Sequence, residues 1–215
     1  MDKNKVFLGI ISVVGIFVFL IAAYYATSKP KEIVSFDALK KVEATDNMTW
    51  SKSKKHVLVE YGDLQCPACK SFHESLKEIQ KDKSVSDNIT FVYRHFPLAN
   101  IHQFAMEAAI SAQAAGNQGK FFEMTDLMYT NQEEWSKQKS VTETFKKYAE
   151  QLKLDMEKYE ADIKSDKTRA KVIADQESGT TYLVNSTPTF FLDGEKLEVA
   201  TFDEFKNKLV EAAKK

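Results

Sequence analysis

The sequence predicts an α/β domain with a block of helices in its middle, preceded by one N-terminal transmembrane helix. Three observations predict it. An uncharged run of 20 residues opens the chain (Val6 to Tyr25), a β-α-β pattern follows over residues 56–94, and a hairpin with a final helix closes it. The 215 residues, 43% of them hydrophobic, suffice for one ordinary domain with a small appendage and argue against global disorder.

A helix over residues 6–25 is long enough to cross a bilayer core. A cleaved signal is the alternative, with Ala26-Thr27-Ser28 as its weak cleavage site. Lysines flank the run on both sides, so charge does not orient it. The expected organisation is a membrane anchor over 1–28, a polar linker over 29–54 broken from the anchor by Lys29-Pro30-Lys31, and the folded domain over 55–215.

His56 to Tyr61 is dense in β-branched residues and reads as a strand ended by Gly62. A helix opens at Cys66-Pro67-Ala68-Cys69, with Pro67 at its first position. Cys69, Phe72, Leu76 and Ile79 share its inward face. Ile89 to Arg94 is a second strand, parallel to the first. A helical block follows, read from apolar stripes. These are Ile101-Phe104-Ala105-Ala108-Ala109-Ala112, then Phe121-Met124-Leu127-Met128, then Phe145-Tyr148-Ala149-Leu152. Asp155 caps a further helix, and Ala170, Ile173 and Ala174 continue the pattern after Ser165. All of these stripes are read as core packing. Thr189 to Leu192 is a third strand, Asp193-Gly194 a hairpin turn into Leu197 to Val199, and Phe202 to Lys214 the closing helix.

Composition excludes one class of function. With 30 basic and 31 acidic residues the net charge is −1, and only Arg94 and Arg169 are arginines, so nucleic-acid binding is not expected. The two cysteines, Cys66 and Cys69, form one C-x-x-C. Thiol–disulfide exchange needs a thiolate to attack and a second thiol to resolve the mixed disulfide. Cys66 at the helix start, where unpaired N–H groups and the helix dipole favour negative charge, is the candidate nucleophile. Cys69, one turn further on the apolar face, is the resolving thiol. Pro67-Ala68 offers the thiolate no cation, so a moderately lowered pKa is expected. A zinc site lacks ligands, His73 being the one residue near the pair, and haem attachment would need His where Lys70 stands. No cofactor beyond the redox-active cysteine pair is expected.

Glu60 lies six residues before Cys66 in an apolar strand. Facing Cys69 it would relay that thiol's proton; the alternative is a solvent-facing position opposite Val57, Val59 and Tyr61. Asp63 is a weaker relay candidate. Thr187-Pro188 precedes a strand and implies a special turn; a cis bond there would present the Thr187 backbone to an extended peptide.

Three ordered motifs carry a family resemblance. Val59-Glu60-Tyr61-Gly62-Asp63 with Cys66-Pro67-Ala68-Cys69-Lys70, then Phe91 to Leu98, then Ser186 to Gly194, together resemble the DsbA-like branch of the thioredoxin superfamily over residues 50–213. The resemblance implies a thioredoxin-like fold with a helical insertion, here at about 100–180. It also implies Cys66 as nucleophile, Cys69 as resolving cysteine, Glu60 as buried acid and Pro188 as cis-proline, with substrate against Pro67, Ala68, Thr187 and Pro188. The chain resembles the tethered extracytoplasmic members of Gram-positive-type bacteria. The expectation is a cell-membrane protein whose catalytic domain, outside the cytoplasm, oxidises cysteine pairs of translocated proteins and is re-oxidised by a membrane quinone-linked thiol oxidase. A reductase of extracytoplasmic proteins and a non-enzymatic, tethered peptide-binding module are the alternatives. A monomer is expected.

Overall fold

The computed structural model describes residues 15–20, 36–53 and 55–215. The chain divides into two units, Met1–Val34 and Ser35–Lys215. Residues 15–20 are helical. The rest of the membrane span expected over 6–25 lies outside the described residues. Among the described residues no helix is long and apolar enough to cross a membrane.

The second unit is built on a five-stranded sheet of order β1-β3-β2-β4-β5, with β1 Asn47–Trp50, β2 His56–Gly62, β3 Ile89–His95, β4 Thr189–Leu192 and β5 Glu195–Lys196. Strands β2 and β3 run parallel, joined through helix α1 (Pro67–Gln80) and the short α2 (Lys83–Ser86), whereas β1, β4 and β5 pair antiparallel. Both central strands are covered on both faces, which explains their nearly unbroken apolar character. Val57, Val59 and Tyr61 pack to one side with Val92 and Phe191. Leu58 packs to the other with Cys69, Leu76, Phe190 and Phe205 of the last helix, α9 (Phe202–Ala213). Asp193 and Gly194 both have positive φ, 49° and 81°, as the tightest hairpin turn requires.

The insertion contributes α3 (Ala105–Gly116), α4 (Phe121–Thr130), α5 (Gln132–Trp135), α6 (Thr142–Gln151), α7 (Met156–Ile163) and α8 (Asp166–Thr181). Asp155 and Ser165 cap α7 and α8 by accepting from Lys158 N and Lys167 N.

Four expectations change. Residues 47–50, expected in the linker, form edge strand β1, and a 3-10 turn precedes them at Asp37–Lys40, so the folded unit starts well before residue 55. The second hairpin strand is Glu195–Lys196, not Leu197 to Val199. Ile101 is 66% exposed because it precedes α3 in a turn. The buried face of α8 is Thr168, Val172, Asp175 and Gly179, whereas Ala170, Ile173 and Ala174 face outward. That face is selected by β3: Asp175 Oδ2 accepts the His95 backbone N–H at 3.2 Å, and Gly179 makes room for Phe96.

A methyl group on Gly179 would sit 2.6 Å from the Phe96 ring and 3.0 Å from that of Tyr61. Alanine gains ~1 kcal/mol of helix propensity. Overpacking costs ~1–3 kcal/mol, and both rings are buried with little room to move. Gly179→Ala is therefore expected to lower unfolding stability, by up to about 2 kcal/mol, in urea titrations. A gain in stability would show that Phe96 yields at no cost.

Candidate active site

Cys66 is the extended N-cap residue of α1 (φ −74°, ψ 123°), and Pro67 fills the first helical position. Asp63 sets the approach. Its carbonyl accepts Cys66 N–H at 3.1 Å, and its carboxylate accepts N–H groups of Gln65 (2.8 Å) and Leu98 (2.9 Å), with His102 Nδ1 at 2.7 Å. With its lone pairs so occupied, Asp63 braces the loop, and the weaker relay role considered for it lapses. Gln65 Oε1 accepts Phe104 N–H at 2.7 Å, pinning the loop to the start of α3.

The two sulfurs have different surroundings. Cys69 is fully buried, with Sγ 3.5 Å from the Asp63 N–H. Burial pushes its thiol well above the usual range, and the neighbouring Cys66 and Glu60 push the same way. Cys66 retains 7% exposure, so the nucleophile is more sheltered than its place at a helix start suggested. Its pKa is lowered from 9.0 to about 5. The Cys69 thiol, donating to the Cys66 sulfur, is the largest cause; burial opposes it, and the Thr187 side chain and the N–H groups of Cys69 and Ala68 add to it. The depression exceeds the moderate one expected from Pro67-Ala68. The donors lie outside that dipeptide's side chains, and one comes from a residue far along the sequence.

The Thr187–Pro188 bond is cis. The Thr187 carbonyl accepts from the Cys66 thiol at 3.4 Å. The Thr187 hydroxyl is buried without a partner among the described residues, leaving it available to donate once Cys66 ionises. Pro67 and Ala68 are exposed beside the pair.

Glu60 is 3% exposed and sits in the β2 register between Tyr93 and Phe190. It lies on the Leu58 side of the strand, the side of α1, so the solvent-facing alternative is excluded. Burial raises its pKa to about 8, and the Cys66 charge adds to the rise. A carboxyl that holds its proton near neutrality beside a thiol of still higher pKa can exchange a proton with it. The structure thus brings Cys66, Cys69, Glu60, Thr187 and Pro188 together. His73 faces away, 3.0 Å from Asp126 and against the Tyr129 ring. Sequence reasoning missed the loop braces Gln65 and Gln132, which carry no local motif.

A strand-to-helix turn that presents a cysteine of lowered pKa over a buried thiol, with a cis-proline opposite, defines a thiol–disulfide oxidoreductase with a C-x-x-C pair. The thioredoxin family profile matches residues 43–211, and the chain belongs to that family. Its fold is DsbA-like. It is similar to BdbD from Bacillus subtilis (TM-score 0.69, 19% identity, 80% of this chain and 94% of that one). It is also similar to alpha-DsbA1 from Wolbachia pipientis (TM-score 0.69, 18% identity, 84% and 96%). The catalytic domain of Proteus mirabilis ScsC is a third such structure (TM-score 0.66, 17% identity, 83% and 94%). Among curated proteins it resembles a stretch of the Na(+)/H(+) antiporter NhaA 1 of Salinispora arenicola, 32% identical over 151 residues. The NhaA 1 of Mycolicibacterium vanbaalenii is 34% identical over 170 residues. The chain spans 22% and 26% of the length of these two relatives.

Proposed function

We propose that the chain is an oxidase: it donates a Cys66–Cys69 disulfide to cysteine pairs of translocated proteins, on the outer side of a membrane to which residues 6–25 tether it. A substrate thiolate attacks Cys66 Sγ; the S–S bond breaks, and Cys69 leaves as a thiolate that takes a proton from Glu60. The second substrate thiolate then attacks the substrate sulfur of the mixed disulfide and releases Cys66 as a thiolate. The substrate loses two electrons and the chain gains them. A membrane quinone-linked thiol oxidase would accept those electrons and restore the disulfide. Pro67, Ala68, Thr187 and Pro188 are the proposed substrate contacts.

The observation that carries this reading is the set of donors converging on Cys66 at the start of α1, the Cys69 thiol, the Thr187 side chain and the Cys69 and Ala68 amides, which lower its pKa to about 5. A stabilised thiolate leaves readily and favours the reduced form, so the disulfide is oxidising. The antiporters that share the domain act across membranes, which supports a membrane-side location; ion antiport itself is not proposed for a chain matching about a quarter of their length. The test is the reduction potential of the full chain in detergent, equilibrated with glutathione. A value approaching about −120 mV is expected, whereas about −270 mV would make the protein a reductase. The absence of any reversible couple would leave only a peptide-binding module.

A further inference from the structure

Gln132 belongs to the helical insertion, yet its side chain is buried against the redox loop, 3% exposed. Its Nε2 donates to the Leu64 carbonyl at 2.8 Å and to the Cys66 carbonyl at 3.0 Å. The Cys66 carbonyl is the one that opens α1, and its helical bond from Lys70 N–H is long, at 3.2 Å. One amide group therefore spans the two carbonyls between which the chain turns into the active-site helix.

We infer that Gln132 is a positioning residue for thiol–disulfide exchange: by holding the backbone of Leu64 and Cys66 it keeps the Cys66 sulfur over the Ala68 and Cys69 amides and against Thr187. Its own support is rigid. Trp135, three residues on, is fully buried and donates its indole N–H to the Met128 carbonyl at 2.7 Å, and Asn131 Nδ2 donates to the Leu127 carbonyl at 2.8 Å. The strut thus runs from the junction of α4 and α5 into the loop, where supporting hydrogen bonds fix reactive groups to fractions of an ångström. Its partial positive charge also points at the residue that becomes anionic. Without it the buried Leu64 carbonyl loses a donor, and the N-cap residue is held on that side only by the long bond from Lys70. The sulfur then samples positions where fewer donors reach it, and the thiolate is less favoured.

The inference rests on Cys66 being the nucleophile. Its test uses the full chain with Gln132→Met, similar in length but without a donor, and Gln132→Glu, which turns a carboxylate onto the same carbonyls. Thiolate absorbance is followed against pH, beside the glutathione equilibrium and the urea midpoint. In Gln132→Met the thiolate-to-thiol ratio of Cys66 at fixed pH is expected to fall about fivefold, the equivalent of one ordinary hydrogen bond. The redox equilibrium is expected to move toward the reducing side. Gln132→Glu is expected to shift both further in the same direction. A lower urea midpoint with an unchanged Cys66 titration in either folded variant would overturn the inference and leave Gln132 a packing residue. If Gln132→Met does not fold, the titration of Gln132→Glu decides. A wild-type chain with no reversible couple would instead sink the oxidoreductase reading, and the titration would still judge Gln132.

Discussion

Cys69→Ala is expected to stop disulfide turnover and, in the same protein, to raise the Cys66 pKa from about 5 toward neutrality. The first effect follows from chemistry: without Cys69 no disulfide can form to be donated, and a mixed disulfide made by Cys66 is not released by the chain itself, so turnover should fall by roughly 10³-fold or more. The second is less obvious. The Cys69 thiol is the largest single cause of the lowered Cys66 pKa, ahead of the helix-start amides and Thr187. Alanine removes that donor and leaves the others. The thiolate should therefore survive but become the minority form near pH 6. Stability reports the same change. A depressed pKa stabilises the reduced fold fully above the unfolded value of 9.0, and the contribution is lost as pH falls through about 5. At pH 7 it amounts to ~2–3 kcal/mol in the wild type, most of which the variant should lack. Alkylation rate against pH reads the pKa, and non-reducing gels read the trapped adducts. A variant that titrates like the wild type would mean that the helix start alone holds the charge.

Local chemistry made part of this molecule legible. The strand at 56–61, the proline-led helix at Cys66, the Asp193-Gly194 turn and the capped helix after Asp155 each carry their signal within a few residues, and each is where it was expected. Long-range partners decided the rest. Strand β1 is four residues at a sheet edge, Asn47-Met48-Thr49-Trp50, too short to show a period, and only its pairing with β3 makes it a strand. Apolar spacing favours Ile173 on the buried face of α8, whereas the His95 backbone requires an acceptor at Asp175, and the Phe96 and Tyr61 rings require bare backbone at Gly179. The site divides in the same way. Cys66 and Cys69 announce themselves. The side of β2 that Glu60 takes follows from where α1 lies, and the depth of the Cys66 shift from the Cys69 thiol and the Thr187 side chain. Nothing around Gln132 in sequence points to a loop 66 residues away.

Glu60→Gln should slow the chemistry and stabilise the protein at high pH. Cys69 leaves as a thiolate when the disulfide is donated and must take a proton, since its pKa stands well above 9.0. A positioned acid–base group contributes ~10²–10⁴-fold, so a loss of about 10²-fold in the step that releases Cys69 is expected, with the later release of Cys66 little changed. The stability effect has the opposite sign to that of Cys66. The Glu60 carboxyl titrates at 4.5 unfolded and at about 8 in the fold, so it favours folding fully below pH 4.5, and that advantage is lost as pH rises through about 8. Glutamine has no proton to lose. Relative to wild type the variant should gain a few kcal/mol between pH 5 and pH 8.5 in urea titrations. Asp175 is the rival source of such a slope, since burial raises its pKa to about 6. The two acids separate by window. In the oxidised protein, where Cys66 does not titrate, a fall in stability confined to pH 4–6 that survives Glu60→Gln belongs to Asp175, whereas one between pH 6 and 8 that disappears identifies Glu60 as the protonated acid beneath the cysteine pair. Loss of that slope together with slow release of Cys69 would tie the cost of burying that carboxyl to the proton it supplies to Cys69.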